Sequence, residues 1–405
     1  FLDDGTPVTQ TQRENSNSFA FGNFPNGCDT CFFGDNYVDA LPEQNRTVAM
    51  ATINYDITEE IIFGSTVKYV LANIDQSFQP AFLFTGGGGI NINVADNPFL
   101  DEALRTEFSE QGLSNVGVNR FITDSDGNGR NADNRRTTVR VTADLTGYST
   151  IGNTDVDWEA YYLYGETNNN IGQRNALILG NLQAATDAVI DPATGQAACR
   201  QDVASAQGDG YESPETVSRT GISCVPYNPF GALNSKESLA YIFNTSLSSQ
   251  ELTQEIYGLT FNFDSSAMFE LPGGPIGLAA GYEYREETSF SAFDRIAQAG
   301  LTQQAASPDQ GGQFNVSEFF AELYLPILQG VELADELSID AAIREADYSH
   351  AGTATAWKLG FVYAPFADLR LRATMSEAVR APNIDEAFRP QSPGFGRVSD
   401  PCDVD

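Results

Sequence analysis

The stretch Leu369-Arg-Leu-Arg-Ala-Thr-Met375 alternates between apolar and polar side chains at every position. Because successive side chains of a β-strand point to opposite faces, leucine, alanine and methionine fall on one face, and Arg370 and Arg372 fall on the other. Such a strand has one apolar face and one charged face. A half-buried strand of a soluble sheet would show the same pattern, so the stretch must be interpreted together with its surroundings.

The same alternation recurs in nine further stretches. With the quoted stretch they make ten, which come in five pairs along the chain. The nine further stretches cover residues 47–55, 63–71, 139–145, 156–164, 257–263, 278–284, 319–325, 337–343 and 357–363. Together with the quoted stretch they predict five antiparallel β-hairpins over residues 47–376. A loop over residues 1–46 precedes these hairpins, and an extracellular loop segment over residues 377–405 follows them.

The connections between these strands alternate in length. Within each pair they are short, at 56–60, 148–155, 264–275, 326–336 and 364–368, and between pairs three are long, at 74–136, 169–250 and 290–314. Short turns at one end and long loops at the other are typical of a transmembrane β-barrel, whose charged faces line an aqueous interior. A soluble antiparallel β-protein that exposes its charged faces to water is the alternative fold.

A sheet in hydrocarbon must close on itself, because every unpaired backbone N–H or C=O group there is costly. Ten strands do not obviously close, and the chain opens on Phe1-Leu-Asp-Asp, which is unlike a translation start. We therefore expect an internal part of a larger all-β barrel, with further strands beyond Asp405.

The composition excludes several classes of protein. The chain has 55 Asp and Glu against 22 Lys and Arg, a net charge of −33, which argues against a nucleic-acid partner because phosphate binding needs clustered cations. Its 27 Phe and 16 Tyr argue against intrinsic disorder. The sequence contains no run of about 18 apolar residues that would predict a membrane-spanning helix, and no signal peptide is visible.

All five cysteines fall in predicted loops, which favours disulfides in an oxidising compartment. Among the three pairings open to Cys28, Cys31, Cys199 and Cys224, we predict the local ones, Cys28–Cys31 and Cys199–Cys224. Cys402 is left over, and we expect its partner beyond Asp405. A redox Cys-x-x-Cys motif would need a βαβ context, and the spacing of the second pair is too wide for a zinc knuckle.

The stretch Asp124-Ser-Asp126-Gly-Asn128-Gly resembles the start of a calcium-binding loop, because carboxylates at alternate positions suit a hard cation. Arg135 stands where an EF-hand would place its bidentate glutamate, so an exposed turn is the favoured interpretation and calcium is a weak candidate. No other cofactor is indicated. We also expect no enzyme, since the only histidine, His350, has no nucleophile motif near it.

The stretch Ser376-Glu-Ala-Val-Arg-Ala-Pro-Asn-Ile-Asp-Glu-Ala-Phe388 resembles the segment that follows a barrel strand in the TonB-dependent receptors of Gram-negative outer membranes. Residues 191–195, 224–230, 269–285 and 399–402 are also similar to segments of this family. The resemblance implies part of a 22-stranded barrel filled by an N-terminal plug, which an inner-membrane complex rearranges to admit a ligand. Compared with the complete pattern of that family, we expect this sequence to hold neither the plug nor the energy-coupling box, and to lack the closing strands.

The resemblance implies an outer-membrane receptor that takes up a scarce solute, such as a siderophore, cobalamin, an oligosaccharide or a peptide. Its expected partners are the lipid bilayer and lipopolysaccharide, its own plug domain, the inner-membrane energy-coupling complex and the solute. A passive outer-membrane porin and a secreted, acidic β-rich binding protein are the alternatives.

The loops 74–136, 169–250 and 290–314 are the candidates for ligand capture, because exposed loops on a rigid scaffold often carry binding. A second group of charged side chains is predicted to face the lumen and the plug. It comprises Lys68, Arg140, Asp144, Glu283, Arg285, Glu318, Glu322, Asp340, Arg344, Arg370 and Arg372. Arg380 is predicted to tie the loop after the last strand to the rim of the barrel.

Overall fold

The computed structural model describes residues 37–83, 90–124, 129–208, 211–231 and 233–391. In chain order its strands are β1 (Glu43–Asp56), β2 (Ile61–Phe78), β3 (Ala81–Leu83), β4 (Ile90–Asn93), β5 (Asn115–Val118), β6 (Arg120–Ile122), β7 (Arg130–Ile151), β8 (Thr154–Leu177), β9 (Ala188–Ile190), β10 (Ala197–Cys199), β11 (Phe243–Asp264), β12 (Gly277–Phe293), β13 (Gln310–Val331), β14 (Ala334–Tyr348), β15 (Gly352–Phe366) and β16 (Leu369–Glu377). The α-helices are α1 (Glu102–Glu110), α2 (Leu179–Thr186), α3 (Lys236–Ile242), α4 (Arg295–Gln298) and α5 (Ile384–Phe388). The predicted residues Cys28, Cys31, Asp126, Asn128 and Cys402 lie outside the described ranges.

Ten of these strands form one antiparallel sheet in the order β1-β2-β7-β8-β11-β12-β13-β14-β15-β16. Each strand pairs with the next long strand along the chain, so the predicted antiparallel all-β fold of about ten strands is confirmed. The sheet stays open, with β1 and β16 at its edges. At one end four of the five connections have two to four residues, and the fifth, 265–276, has twelve. In the two-residue turn between β7 and β8, Gly152 adopts a positive φ of 68°, which glycine reaches without steric cost.

The strands are longer than the alternating pattern predicts. β7 has 22 residues and β8 has 24, whereas about 9–11 residues of a tilted strand cross the hydrocarbon core of a bilayer. The long connections therefore shorten to 79–129, 178–242 and 294–309. The sequence pattern missed the outer parts of the strands because their side chains are mostly polar, while the backbone ladder needs no apolar side chains to continue.

One face of the sheet is apolar across all ten strands, and it is exposed. Val67 is 46% accessible, Phe261 is 38% and Leu371 is 52%, and Trp158 and Leu323 are partly exposed. A soluble β-sandwich would cover such a face with a second sheet. In the described part of the chain no such second sheet covers the apolar face, which agrees with the barrel prediction, in which this face would lie against lipid.

The largest buried apolar cluster lies outside the sheet, in the connections β2–β7 and β8–β11. We call the described residues of 79–129 and 178–242 the loop unit. Its core contains Ile92, Ile122, Leu182, Tyr227 and Ile242, all fully or almost fully buried. The sequence suggested that these long loops are structureless. They are folded instead, because each contributes apolar side chains to one shared core. Among the described residues, no helix is both long and apolar enough to cross a membrane.

Candidate functional site: the polar face of the sheet and the loop unit

The eleven side chains predicted to face the lumen all fall on the face of the sheet opposite the apolar one, which we call the polar face. The strand register links them. Lys68 lies opposite Arg140, and the row that contains Asp144 continues across the sheet through Tyr161 to Glu283 and Glu318. Whether these groups contact a plug stays a prediction.

An ion-pair cluster occupies the middle of the polar face. Glu318 is only 3% accessible. One of its carboxylate oxygens lies 2.7 Å from a guanidinium nitrogen of Arg344, and the other lies 3.9 Å from Arg285. Arg285 in turn lies 3.2 Å from Glu287. A buried carboxylate is tolerated only when such partners offset its lost hydration. The Glu318 carboxylate therefore depends on the guanidinium groups of Arg344 and Arg285.

Glycines on the polar face make room for aromatic rings. Tyr161 lies over Gly258, where an added Cβ would come within 2.1 Å of the ring carbon Cζ. From that position its hydroxyl donates a 2.7 Å hydrogen bond to Glu283. Phe320 lies over Gly281 in the same way, and the Arg344 guanidinium stacks 5.9 Å from the centre of the Phe320 ring. These rings fix the side chains of the cluster in place.

Nearer the turn end, the polar face carries simpler ion pairs. The Lys358 ammonium lies 2.8 Å from the Asp340 carboxylate, and Arg370 pairs with Glu336. The two cations are half exposed and the two carboxylates partly exposed, so each pair adds little to stability in water. Their positions along the wall of a channel are nevertheless fixed by the strand register.

The segment that follows β16 folds back over the polar face. Its helix α5 packs on β13, where Ile384 joins the buried side chains of Phe314 and Val316. His350 lies between the rings of Phe314 and Phe388, and its Nε2 is 2.8 Å from the Pro382 carbonyl oxygen. The sequence indicated only a surface role for His350. Its packing could not be foreseen, because its partners are more than 30 residues away along the chain.

Arg380 binds a carboxylate within its own segment. Its guanidinium makes two hydrogen bonds, of 2.8 and 2.9 Å, to Glu386 in the same segment. Glu386 also completes a capping box with Asn383 at the start of α5. The Arg380 guanidinium, followed by the Asn383 backbone N–H, lowers the pKa of Glu386 to about 2. Ile384 and His350 hold this segment against the sheet, and the tie to the rim predicted for Arg380 stays a prediction.

Charged and polar side chains join the two halves of the loop unit. Arg120 donates hydrogen bonds of 2.8 Å to the carbonyl oxygens of Pro229 and Gly231, and its guanidinium stacks 5.5 Å from the Tyr227 ring centre. Arg200 binds Asp96, across the two loops, with hydrogen bonds of 2.5 and 2.9 Å. Planar guanidinium groups suit such forked contacts. These bonds make the two loops one folded body.

The predicted Cys199–Cys224 disulfide is present in the second loop. In the described part of the chain, one group of side chains is close enough together to hold a metal ion. It consists of these two cysteines and Asp202. Since the cysteines are bonded to each other, they offer no thiolate ligands. The Cys28–Cys31 pairing stays a prediction.

Asp124, the first residue of the weak calcium candidate, has protein partners. Its carboxylate accepts hydrogen bonds of 3.2 Å from the Tyr227 hydroxyl and 2.7 Å from Asn234, and it lies 3.5 Å from Arg120. Burial raises the pKa of Tyr227 above its ordinary value, so its hydroxyl stays protonated as a donor. Asp124 thus crosslinks the loop unit, and calcium binding there stays a prediction.

The described structure combines an exposed apolar face across ten strands, a polar face with an ion-pair cluster, and a folded loop unit at one end, which is typical of part of a β-barrel wall. Residues 83–401 match the family described as TonB dependent receptor-like, beta-barrel. The chain belongs to this family of receptors. The resemblance inferred from the sequence is therefore confirmed, and the family's members are receptors and transporters, not enzymes.

A search of curated proteins finds no match to the chain. Among solved structures, the chain is similar to the siderophore receptor PiuA from Acinetobacter baumannii, with 12% sequence identity and a TM-score of 0.32. That match covers 85% of this chain and 49% of PiuA, so the chain spans about half the length of the solved structure.

Proposed function

We propose that this chain is part of an outer-membrane receptor of a Gram-negative bacterium that takes up a scarce solute by energy-coupled transport. The observation that carries the proposal is the family match over residues 83–401. In this proposal the loop unit captures the solute outside the cell, and the polar face guides it inward. The process is binding followed by gated passage, with no covalent chemistry.

The geometry supports each part of this proposal. The exposed apolar face fits a bilayer, with lipopolysaccharide around the outer parts of the strands. The loop unit is rigid enough to present a binding surface, because its core and its Arg120 and Arg200 contacts fix its shape. The segment with α5 packs over the polar face, where a solute on its way along this face would meet it.

The remaining partners belong to the proposal as well. A plug domain would contact the polar face, and an inner-membrane complex would supply the energy that rearranges it. The solute is a small molecule, for which a siderophore, cobalamin, an oligosaccharide and a peptide are the candidates.

Energy dependence separates this proposal from a passive porin. Cells that produce the full-length protein should accumulate one solute from a panel of iron chelates, cobalamin, oligosaccharides and peptides against its gradient. An uncoupler that collapses the proton-motive force should abolish accumulation. Uptake that persists unchanged in uncoupled cells would favour the porin, and recovery of the protein from cells without detergent would refute the barrel.

A further inference from the structure

The cations of the polar face divide into two sets. Arg285, Arg344, Lys358 and Arg370 each have a carboxylate within 4 Å. Arg372, on edge strand β16, has no such partner among the residues that the structure describes, and neither have Arg46, Lys68, Arg136 and Arg140, on the neighbouring strands β1, β2 and β7. We call these four residues the cationic patch. It is unexpected in a chain with 55 acidic residues and a net charge of −33.

The strand register brings the patch together. Lys68 lies directly opposite Arg140, and Arg46 and Arg136 lie in one row on either side of the small residue Ala72. The two rows are four residues apart, which is about 13 Å along a strand. Long, flexible Lys and Arg side chains bridge such a distance, so their heads can meet over one bound molecule.

No carboxylate lies between the two rows of the patch, and the first one on the polar face along β7 beyond Arg140 is Asp144, four residues further on. The positions of the polar face within 44–52, 66–74, 134–142 and 165–171 carry no Asp or Glu. Between the two rows, the hydroxyls of Thr138 and Thr167 lie 3.0 Å apart and offer further hydrogen-bond donors. Beside Arg140, Gly165 leaves open space, since a Cβ added there would meet no atom within 4 Å.

Like charges directly opposite each other on adjacent strands are destabilising. The Lys68–Arg140 pair therefore costs stability unless an anion neutralises it. We propose that the cationic patch is a binding site for an anionic solute that carries two or more carboxylate or phosphate groups. This inference rests on the proposed receptor function and narrows its substrate to an anion. Guanidinium groups bind both kinds of oxyanion in a bidentate manner, which adds specificity to charge attraction.

The experiment uses the full-length protein in detergent and titration calorimetry. The probe is propane-1,2,3-tricarboxylate, and its trimethyl ester is the neutral comparator of the same shape. The wild-type protein should bind the tricarboxylate and not the ester, and binding should weaken as salt is added. Arg140→Gln and Lys68→Gln should each weaken binding by about tenfold, which corresponds to about 1.4 kcal/mol.

Arg372→Gln is the matched control, because Arg372 lies on the same face, on edge strand β16, without a carboxylate within 4 Å among the described residues. It should leave tricarboxylate binding unchanged. Failure of the wild-type protein to bind the probe, or equal loss in Arg372→Gln and Arg140→Gln, would overturn the inference. A lower melting temperature of Arg140→Gln without any binding of the probe would show that another part of the protein neutralises the patch, and it would overturn the inference as well.

Binding by purified protein needs no energy source, so this test is independent of transport. Tricarboxylate binding without energy-dependent uptake of any solute would refute only the proposed transport. Energy-dependent uptake of a neutral solute that Lys68→Gln and Arg140→Gln leave unaffected would refute only the anionic class.

Discussion

Replacing Ile92 by alanine tests whether the two long loops fold as one unit. Ile92 lies on β4 in the first loop and is 0% exposed. β4 contacts α2 in the second loop, and the Asn97 side chain donates a 2.8 Å hydrogen bond to the Thr186 carbonyl oxygen close by. A cavity at Ile92 should therefore weaken both loops, although the substitution touches only one of them.

The expected loss follows from the burial of the side chain. Truncation of a buried isoleucine to alanine costs about 2–5 kcal/mol, because apolar contacts are lost and a cavity remains. If the loop unit opens as one body, a loss of about 3 kcal/mol raises the open fraction by about 100-fold. Amide hydrogen exchange in both loops should become faster by that factor, while exchange in the ladder of β12 and β13 should not change.

Hydrogen exchange followed by mass spectrometry on the detergent-solubilised protein measures this directly. Leu113→Ala is the matched control, because Leu113 lies in the same first loop and is 42% exposed. It should leave exchange in both loops close to wild type. If Ile92→Ala speeds exchange only within the first loop, the two loops open independently and the loop unit is not one body.

Three other perturbations test the disulfide, the wall and the segment over it. Reduction of the Cys199–Cys224 disulfide, whose cysteines are 25 residues apart, should destabilise the loop unit by about 3.5 kcal/mol, because the unfolded chain gains entropy. Amide hydrogen exchange in residues 178–242 should then become faster, and unchanged exchange would contradict the predicted destabilisation. Gly258→Ala should lower the free energy of unfolding in urea by about 1–3 kcal/mol, because the Tyr161 ring occupies the position of the new Cβ. Gly165→Ala is the control, since a Cβ there has space and should leave stability unchanged. Equal effects of the two variants would refute the packing argument. Because the pKa of Glu386 is lowered to about 2, its carboxylate stabilises α5 fully above about pH 4.5, and this stabilisation is lost as the pH falls towards about 2. Glu386→Gln should expose the segment to protease already at pH 7. Equal protection of the variant and the wild-type protein would count against the ion pair.

Sequence reasoning predicted the ten-stranded sheet well. The period-two alternation of stretches such as 357–363 is a local property, and it survives because each strand must present one face to lipid and one to water. The same reasoning placed Glu318 and Arg344 on the polar face. It did not show that they pair, because β13 and β14 bring them together only through the register between two strands.

The loops were harder to predict from the sequence. Apolar residues such as Ile92 and Leu182 show no long period, and they gain a common core only when two connections that are far apart along the chain fold together. Asp124 suggested calcium because its sequence neighbours are acidic, yet its actual neighbours are Arg120, Tyr227 and Asn234. Contacts between distant segments leave no mark on local sequence patterns.

The amino-acid sequence by itself determined the two-faced strands, their hairpin order, the family and the local disulfide in the second loop, because these depend on neighbouring residues. Only the tertiary structure decided that the loops share a core, that His350 holds the segment after β16, and that Arg46, Lys68, Arg136 and Arg140 gather without acidic partners in the described part of the chain. Those features depend on which strands and loops become neighbours in space, and that is fixed by the register and packing of the whole sheet.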